Sequence, residues 1–142
     1  MRCKPRIAMA TGAVLAFVVA GCGSSSLSDA AFTSKANAIC AAANAAGSKF
    51  EGEGSLSGVR SEHGVAEKAL TKLEALSPPA NRARSFHAFL SLIGQEQADL
   101  ERLLTAAAAH DRAKELAIAS AGSALQPKGT SAAKASGLSQ CE

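Results

Sequence analysis

The most reactive side chains of this sequence belong to four cysteines, Cys3, Cys22, Cys40 and Cys141. A thiol can be acylated, oxidised to a disulfide or bound to zinc, and its surroundings decide which reaction applies. A structural zinc site needs four Cys, His or carboxylate ligands. No histidine pattern accompanies Cys40 and Cys141, so we expect these thiols to cross-link the chain and predict no metal site on them.

Cys22 ends a segment with the features of an export signal. Arg2, Lys4 and Arg6 precede an apolar run over residues 7–20. Such a run fits a signal-peptide core of about 7–15 residues better than a membrane helix of about 20 residues. Val19-Ala20-Gly21-Cys22 resembles a bacterial lipobox. The resemblance implies cleavage before Cys22 and a diacylglycerol thioether on its sulfur; an ordinary signal peptide or a buried helix is the alternative.

These features divide the chain into three parts. Residues 1–21 are interpreted as a lipoprotein signal peptide, residues 22–28 as a lipid-anchored Ser/Gly tether and residues 29–142 as a helical domain. The tether spans at most about 20 Å. Two or more acyl chains anchor stably, because each buried methylene contributes about 0.8 kcal/mol. We therefore expect a protein on the extracytoplasmic face of the cell membrane, bound through lipid on Cys22.

The net charge of +3 belongs to the signal segment. Residues 1–21 hold three of the fifteen Lys and Arg and none of the twelve Asp and Glu, so the remainder is neutral. A neutral domain lacks the basic footprint of a nucleic-acid binder, and we predict no nucleic-acid partner. Alanine dominates the domain and favours helices, but it buries little area, so a covalent cross-link would help to hold the core together.

Cys40 and Cys141 can supply that cross-link. Cys3 leaves with the signal peptide and Cys22 carries lipid, so two cysteines remain outside the reducing cytosol. They have one intramolecular pairing, which would close a loop of about 100 residues and stabilise the fold by about 4.7 kcal/mol in the chain-entropy treatment. Free thiols or an intermolecular bond are the alternatives.

Apolar periodicity predicts helices throughout the domain and no strand. We expect an all-α fold, an antiparallel bundle of three long helices plus a broken C-terminal fourth. The first expected helix is capped by Ser28 and stops at Gly47, and a flexible loop follows over Glu51–Arg60. The second and third helices are expected over Ser61–Leu76 and Pro79–His110. The fourth runs over Asp111–Gln126 and is broken at Pro127-Lys128-Gly129, with a last short helix over Thr130–Ser136.

The third helix carries the clearest apolar stripe, and Gln97 is the one polar residue within it. We interpret Gln97 as a register-setting or partly exposed residue, with a ligand contact as the alternative. The predicted buried residues are Phe32, Ile39, Leu73, Phe86, Leu90, Ile93, Leu100 and Leu104.

Several stretches resemble small exported helical proteins of high-GC Gram-positive bacteria, a group without a known activity. They are Phe32 to Asn44, Leu76-Ser77-Pro78-Pro79, Ala106 to Asp111 and Ala135 to Cys141. The resemblance implies a disulfide between the first helix and the C-terminal end. Pro127 departs from the pattern of the group and puts the continuity of the last helix in question.

Catalytic and metal-binding patterns are missing from the sequence. No Gly-x-Ser-x-Gly elbow or phosphate loop is present. His63 and Glu67 could share a metal, but two ligands on an exposed helix are more often solvated. His87 and His110 lie about 35 Å apart on one straight helix, so they cannot share an ion. We predict no enzyme activity, no catalytic residues, no metal and no cofactor.

These observations favour a non-catalytic binding or scaffold module of the cell envelope with a protein partner. The alternative is a small-ligand or metal carrier that assists a membrane system. An exposed apolar patch would favour partner binding, and a convergent polar group inside the bundle would favour the carrier.

Overall fold

The computed structural model describes residues 26–50 and 55–142, which form five helices and no strand. The helices are α1 (Asp29–Gly47), α2 (Leu56–Glu74), α3 (Ala80–Ala108), α4 (Arg112–Ser123) and α5 (Gln126–Ala135). This confirms the predicted all-α bundle of three long helices and a broken fourth. The predicted signal peptide, the lipobox and Cys22 lie outside the described residues.

Hydrogen bonds at one end of the molecule define the helix directions. The N–H of Leu27, before α1, donates to the carbonyl of Ser77, after α2, at 3.0 Å. Arg82, near the start of α3, donates to Asp29 in the first turn of α1 and to the carbonyl of Ser136 at the end of α5. We call this the proximal end. α1 and α3 begin here and α2 and α5 end here, so successive long helices are antiparallel.

Two predicted boundaries were wrong. The loop was expected to extend to Arg60, but α2 begins at Leu56, where the Ser55 hydroxyl accepts a hydrogen bond from the Gly58 N–H. Side-chain caps of this kind satisfy a free helix donor and outweigh the low helix propensity of a nearby glycine. The loop prediction had given too much weight to the glycines.

The fourth helix breaks before its proline and not at it. α4 ends at Ser123, and α5 begins at Gln126 with Pro127 in its first turn. Proline is tolerated there because the first amides of a helix have no intrahelical partner. The predicted break at Pro127-Lys128-Gly129 is therefore wrong in position, and Pro127 belongs to the start of the last segment.

The core lies toward the proximal end, where α1, α2, α3 and α5 converge. The rings of Phe32 and Phe86 meet edge to face, with centroids 4.8 Å apart. Phe89 is 2 % exposed and takes the place expected for Leu90, which is half-buried. Of the predicted core, Phe32, Leu73, Phe86 and Leu104 are buried, and Ile39, Leu90, Ile93 and Leu100 are half-buried.

The C-terminal segment is fastened to α1 by covalent and polar contacts. A disulfide joins Cys40 to Cys141 with their Cα atoms 5.1 Å apart, as the sequence predicted. On either side of Cys40, Asn37 accepts a hydrogen bond from the Gln140 N–H and Asn44 donates one to the Gln140 carbonyl. Buried Leu138 adds an apolar contact. Leu138 thus joins the core, and Cys141 packs against it.

Candidate functional site

An apolar groove opens at the end of the molecule opposite the proximal end. Its floor is the C-terminal half of α3, and its walls are the start of α2 and one face of α4. The cavity measures about 360 Å³, and we call it the distal groove. Its lining residues are Leu56, Val59, Leu103, Leu104, Ala107, Arg112, Glu115, Leu116 and Ala119.

A second cavity of about 180 Å³ continues the distal groove between α3 and α4. The two cavities share Leu103 and Ala119, so they adjoin along the same helix pair. Ile118 and Leu100 add apolar walls, and Glu96 adds a carboxyl group. The whole passage therefore has mostly apolar walls, with the acidic residues Glu96 and Asp99 toward one end.

The groove exists because α4 rests on α3 without burying a side chain of its own. None of its residues is buried, and Leu116 is 57 % exposed. Of the residues of α4, only Glu115, Ile118 and Gly122 are half-buried, and the exposed alanines between them add little contact, so space remains between the two helices.

Polar contacts at its first turn hold α4 in this position. His110 has a φ of 56° and closes the end of α3, where the N–H of Asp111 donates to the Ala106 carbonyl. The Asp111 side chain then accepts a hydrogen bond from the Lys114 N–H and caps α4. At the other end, two residues connect α4 to the firmly packed α5. α4 is therefore held at both of its ends, while its middle crosses the apolar surface of α3.

Glu96 is the chemically distinctive residue of this region. It is half-buried, and burial raises the pKa of its carboxyl group above the ordinary value of 4.5. A Cβ placed on Gly129 of α5 would lie 3.4 Å from its Oε1, so the carboxyl group lies close against α5. Within the described part of the chain, no side chain forms a hydrogen bond or ion pair with this carboxyl group.

The other charged residues of the groove are already paired. The Arg112 guanidinium lies 3.0 Å from a Glu115 carboxylate oxygen, one helical turn away. Asp99 forms an ion pair with Arg102. Glu96 is consequently the lining carboxyl group that has no cation among the described residues.

A separate polar cluster joins three helices at the proximal end. Arg82 donates to Asp29 from Nε at 3.0 Å and from Nη2 at 2.7 Å, and to the Ser136 carbonyl from Nη1 at 2.7 Å. The two bonds from Arg82 to Asp29, together with one from Asn81, lower the pKa of Asp29. Sequence reasoning missed Arg82, because nothing local distinguishes that arginine from a surface cation. The cluster therefore fixes the relative positions of α1, α3 and α5.

The structure separates the histidines that the sequence named. His63 lies in α2, His87 near the start of α3 and His110 after its end. Within the described residues, no group of three His, Cys, Asp or Glu side chains is placed to hold a metal ion. Gln97 is partly exposed, and its Oε1 is buried without a hydrogen-bond partner among residues 26–50 and 55–142.

No helix in the described part of the chain is long and apolar enough to cross a membrane.

The chain matches no protein-family model, no curated protein and no solved structure. Its function must therefore be inferred from the geometry of its own side chains.

Proposed function

We propose that this protein is a lipid-anchored, non-catalytic binding module on the extracytoplasmic face of the cell membrane, with the distal groove as its binding surface. The observation that carries the proposal is the apolar groove itself. Leu56 and Leu116, on its two walls, are 43 % and 57 % exposed. Exposed apolar side chains around a concave apolar surface are typical of interaction sites in soluble proteins.

The distance between the anchor and the groove supports this proposal. The tether joins the bundle at the proximal end, where Arg82 contacts Asp29. Leu104, on the floor of the groove, lies about 33 Å farther along α3. Leu27 already packs against the core, so the freely spanning part of the tether is shorter than the predicted residues 22–28. An anchor on Cys22 would hold the groove away from the bilayer, facing other molecules of the envelope.

A small-ligand carrier is the second candidate, and Glu96 favours it. Ligand sites commonly combine apolar walls with a few polar groups that orient the bound molecule. The distal groove has such walls, and Glu96 is a half-buried carboxyl group at its end. A metal-carrier version has no comparable observation in its favour.

Photo-crosslinking in intact cells tests the proposal. A benzophenone amino acid would replace Leu116 on the wall of the groove, and the matched control would replace Ser34, an exposed residue of α1. We expect a specific captured species from position 116 and none from position 34. Equal capture at both positions, or none at position 116, would refute the groove as the binding surface.

The anchor is tested independently. Cys22→Ser should block processing and detergent-phase partitioning, as should globomycin treatment. A mature protein that starts elsewhere and carries no lipid mass would refute the anchor and leave the groove untouched.

A further inference from the structure

The size of the distal groove limits what can occupy it. Its main cavity of about 360 Å³ falls in the range of small-molecule sites, about 300–1,000 Å³. A partner helix is about 10–12 Å wide with its side chains and would not enter this space without displacing α4. The passage from Glu96 to Ala107 extends about 16 Å along α3. The volume and shape therefore suit one elongated small molecule.

The chemistry of the lining limits the occupant further. Leu103, Leu104, Leu116 and Ala119 offer only apolar contacts, which favour an aliphatic or aromatic body. At one end, the Glu96 carboxyl group lines the adjoining cavity with no cation beside it among the described residues. A half-buried carboxylate gains most from a ligand that supplies the missing positive charge and a hydrogen-bond donor.

We propose that the distal groove binds a lipophilic amine, whose apolar body lies between α3 and α4 and whose ammonium group pairs with the Glu96 carboxylate. This rests on the proposed function, because it names the ligand class of the same binding surface.

Calorimetric titration with three probes of equal chain length tests the proposal. The probes are n-decylammonium, 1-decanol and decanoate. The protein is the mature chain from residue 22 onward, carrying Cys22→Ser and exported behind a cleavable signal peptide without a lipobox, so that it forms its disulfide and has neither lipid nor signal segment to compete for the groove. We expect n-decylammonium to bind most tightly and decanoate most weakly, because Glu96 attracts a cation and repels an anion.

Two variants test whether Glu96 supplies the charge that binds the amine and whether the probes bind in the distal groove, and a third is the control. Glu96→Gln keeps the shape and removes the charge, and it should weaken n-decylammonium binding about tenfold or more while leaving 1-decanol unchanged. Ala119→Trp, at an exposed position shared by both cavities, should abolish binding of every probe. Glu67→Gln, which removes an exposed carboxylate of α2, is the control and should change nothing.

The outcomes separate this inference from the proposed function. Equal binding of n-decylammonium and 1-decanol, unaffected by Glu96→Gln, would overturn the amine and keep the groove as a binding surface. Binding that persists in the Ala119→Trp variant would overturn the inferred site. Absence of all probe binding would overturn the inference, while protein capture from position 116 would still support the proposed function.

Discussion

Asp29 and Arg82 are 53 positions apart in the sequence and form the ion pair that aligns the starts of α1 and α3. One carboxylate oxygen of Asp29 accepts two hydrogen bonds from the guanidinium. The remaining terminal nitrogen of Arg82 donates to the carbonyl of Ser136, which is fully buried. One arginine therefore connects the beginning of the first helix, the beginning of the third and the end of the last.

This pair predicts a loss of stability in acid. The pKa of Asp29 is lowered below its ordinary value of 3.8, chiefly by the hydrogen bonds from Arg82. A group whose pKa falls on folding stabilises the fold above its unfolded pKa and loses that effect as the pH drops through its folded pKa. We expect Asp29→Asn to be less stable than the native protein at pH 7 and equally stable well below pH 3.8. Urea unfolding at several pH values checks this, with Glu74→Gln as an exposed control. The prediction is contradicted if the free energy of unfolding depends on pH in the same way in both variants.

Glu96 should change the stability with pH in the opposite direction. Burial raises its pKa above 4.5, so the folded state binds its proton more readily than the unfolded chain does. Its charge therefore opposes folding at neutral pH, and acid relieves this effect as the pH falls through the raised pKa. We expect Glu96→Gln to melt at a higher temperature than the native protein at pH 7 and at the same temperature well below pH 4.5. A lower melting temperature at pH 7 would show that the carboxylate has a stabilising partner.

The disulfide is expected to supply a large share of the stability. Cys40 and Cys141 are 101 positions apart, and closing a loop of that length contributes about 4.7 kcal/mol in the chain-entropy treatment. The double variant Cys40→Ser, Cys141→Ser should lose about 2–5 kcal/mol in urea unfolding. The native protein with its disulfide reduced serves as the control and should match the variant. A loss below 1 kcal/mol would mean that Asn37, Asn44 and Leu138 hold the C-terminal segment without the bond.

The two helix ends with positive φ predict opposite effects of substitution. His110 adopts a φ of 56°, which is unfavourable for a residue with a Cβ, so His110→Gly should stabilise the fold by about 1 kcal/mol. Gly137 has a φ of 71°, and a Cβ there would collide with the Arg82 guanidinium. Gly137→Ala should therefore destabilise the fold by more than about 1 kcal/mol. Thermal unfolding of both variants checks the pair, and a shift in the same direction would contradict it.

The groove predicts that a large apolar residue can be removed at little cost. Leu116→Ser should change the free energy of unfolding by less than about 0.5 kcal/mol, because its side chain is largely exposed. Leu73→Ala is the matched core change and should cost about 2–5 kcal/mol, because that side chain is 3 % exposed. Equal losses would show that α4 packs as core and that the groove is closed in solution.

Local sequence determined the helices themselves. Ser28 caps α1 as predicted, because a hydroxyl before an apolar stripe satisfies a free amide of the first turn. The prolines after Leu76 separate α2 from α3 for an equally local reason, since proline cannot donate a helix hydrogen bond. The cysteine pairing also followed from the sequence, because only two thiols remained once Cys3 and Cys22 were assigned elsewhere. These features depend on neighbouring residues along the chain or on the number of cysteines, and the sequence shows both directly.

Only the tertiary structure decided which side chains meet. Arg82 and Glu96 are ordinary charged residues in the sequence, yet one joins three helices and the other faces an apolar cavity. The burial of Phe89 and the partial exposure of Leu90 depend on how α3 rotates against its neighbours. The groove arises because α4 lies on α3 with only Glu115, Ile118 and Gly122 half-buried, and it leaves a space that its own periodicity does not reveal. Burial and charge pairing depend on distances across the fold, and a helical repeat specifies only positions on a single helix.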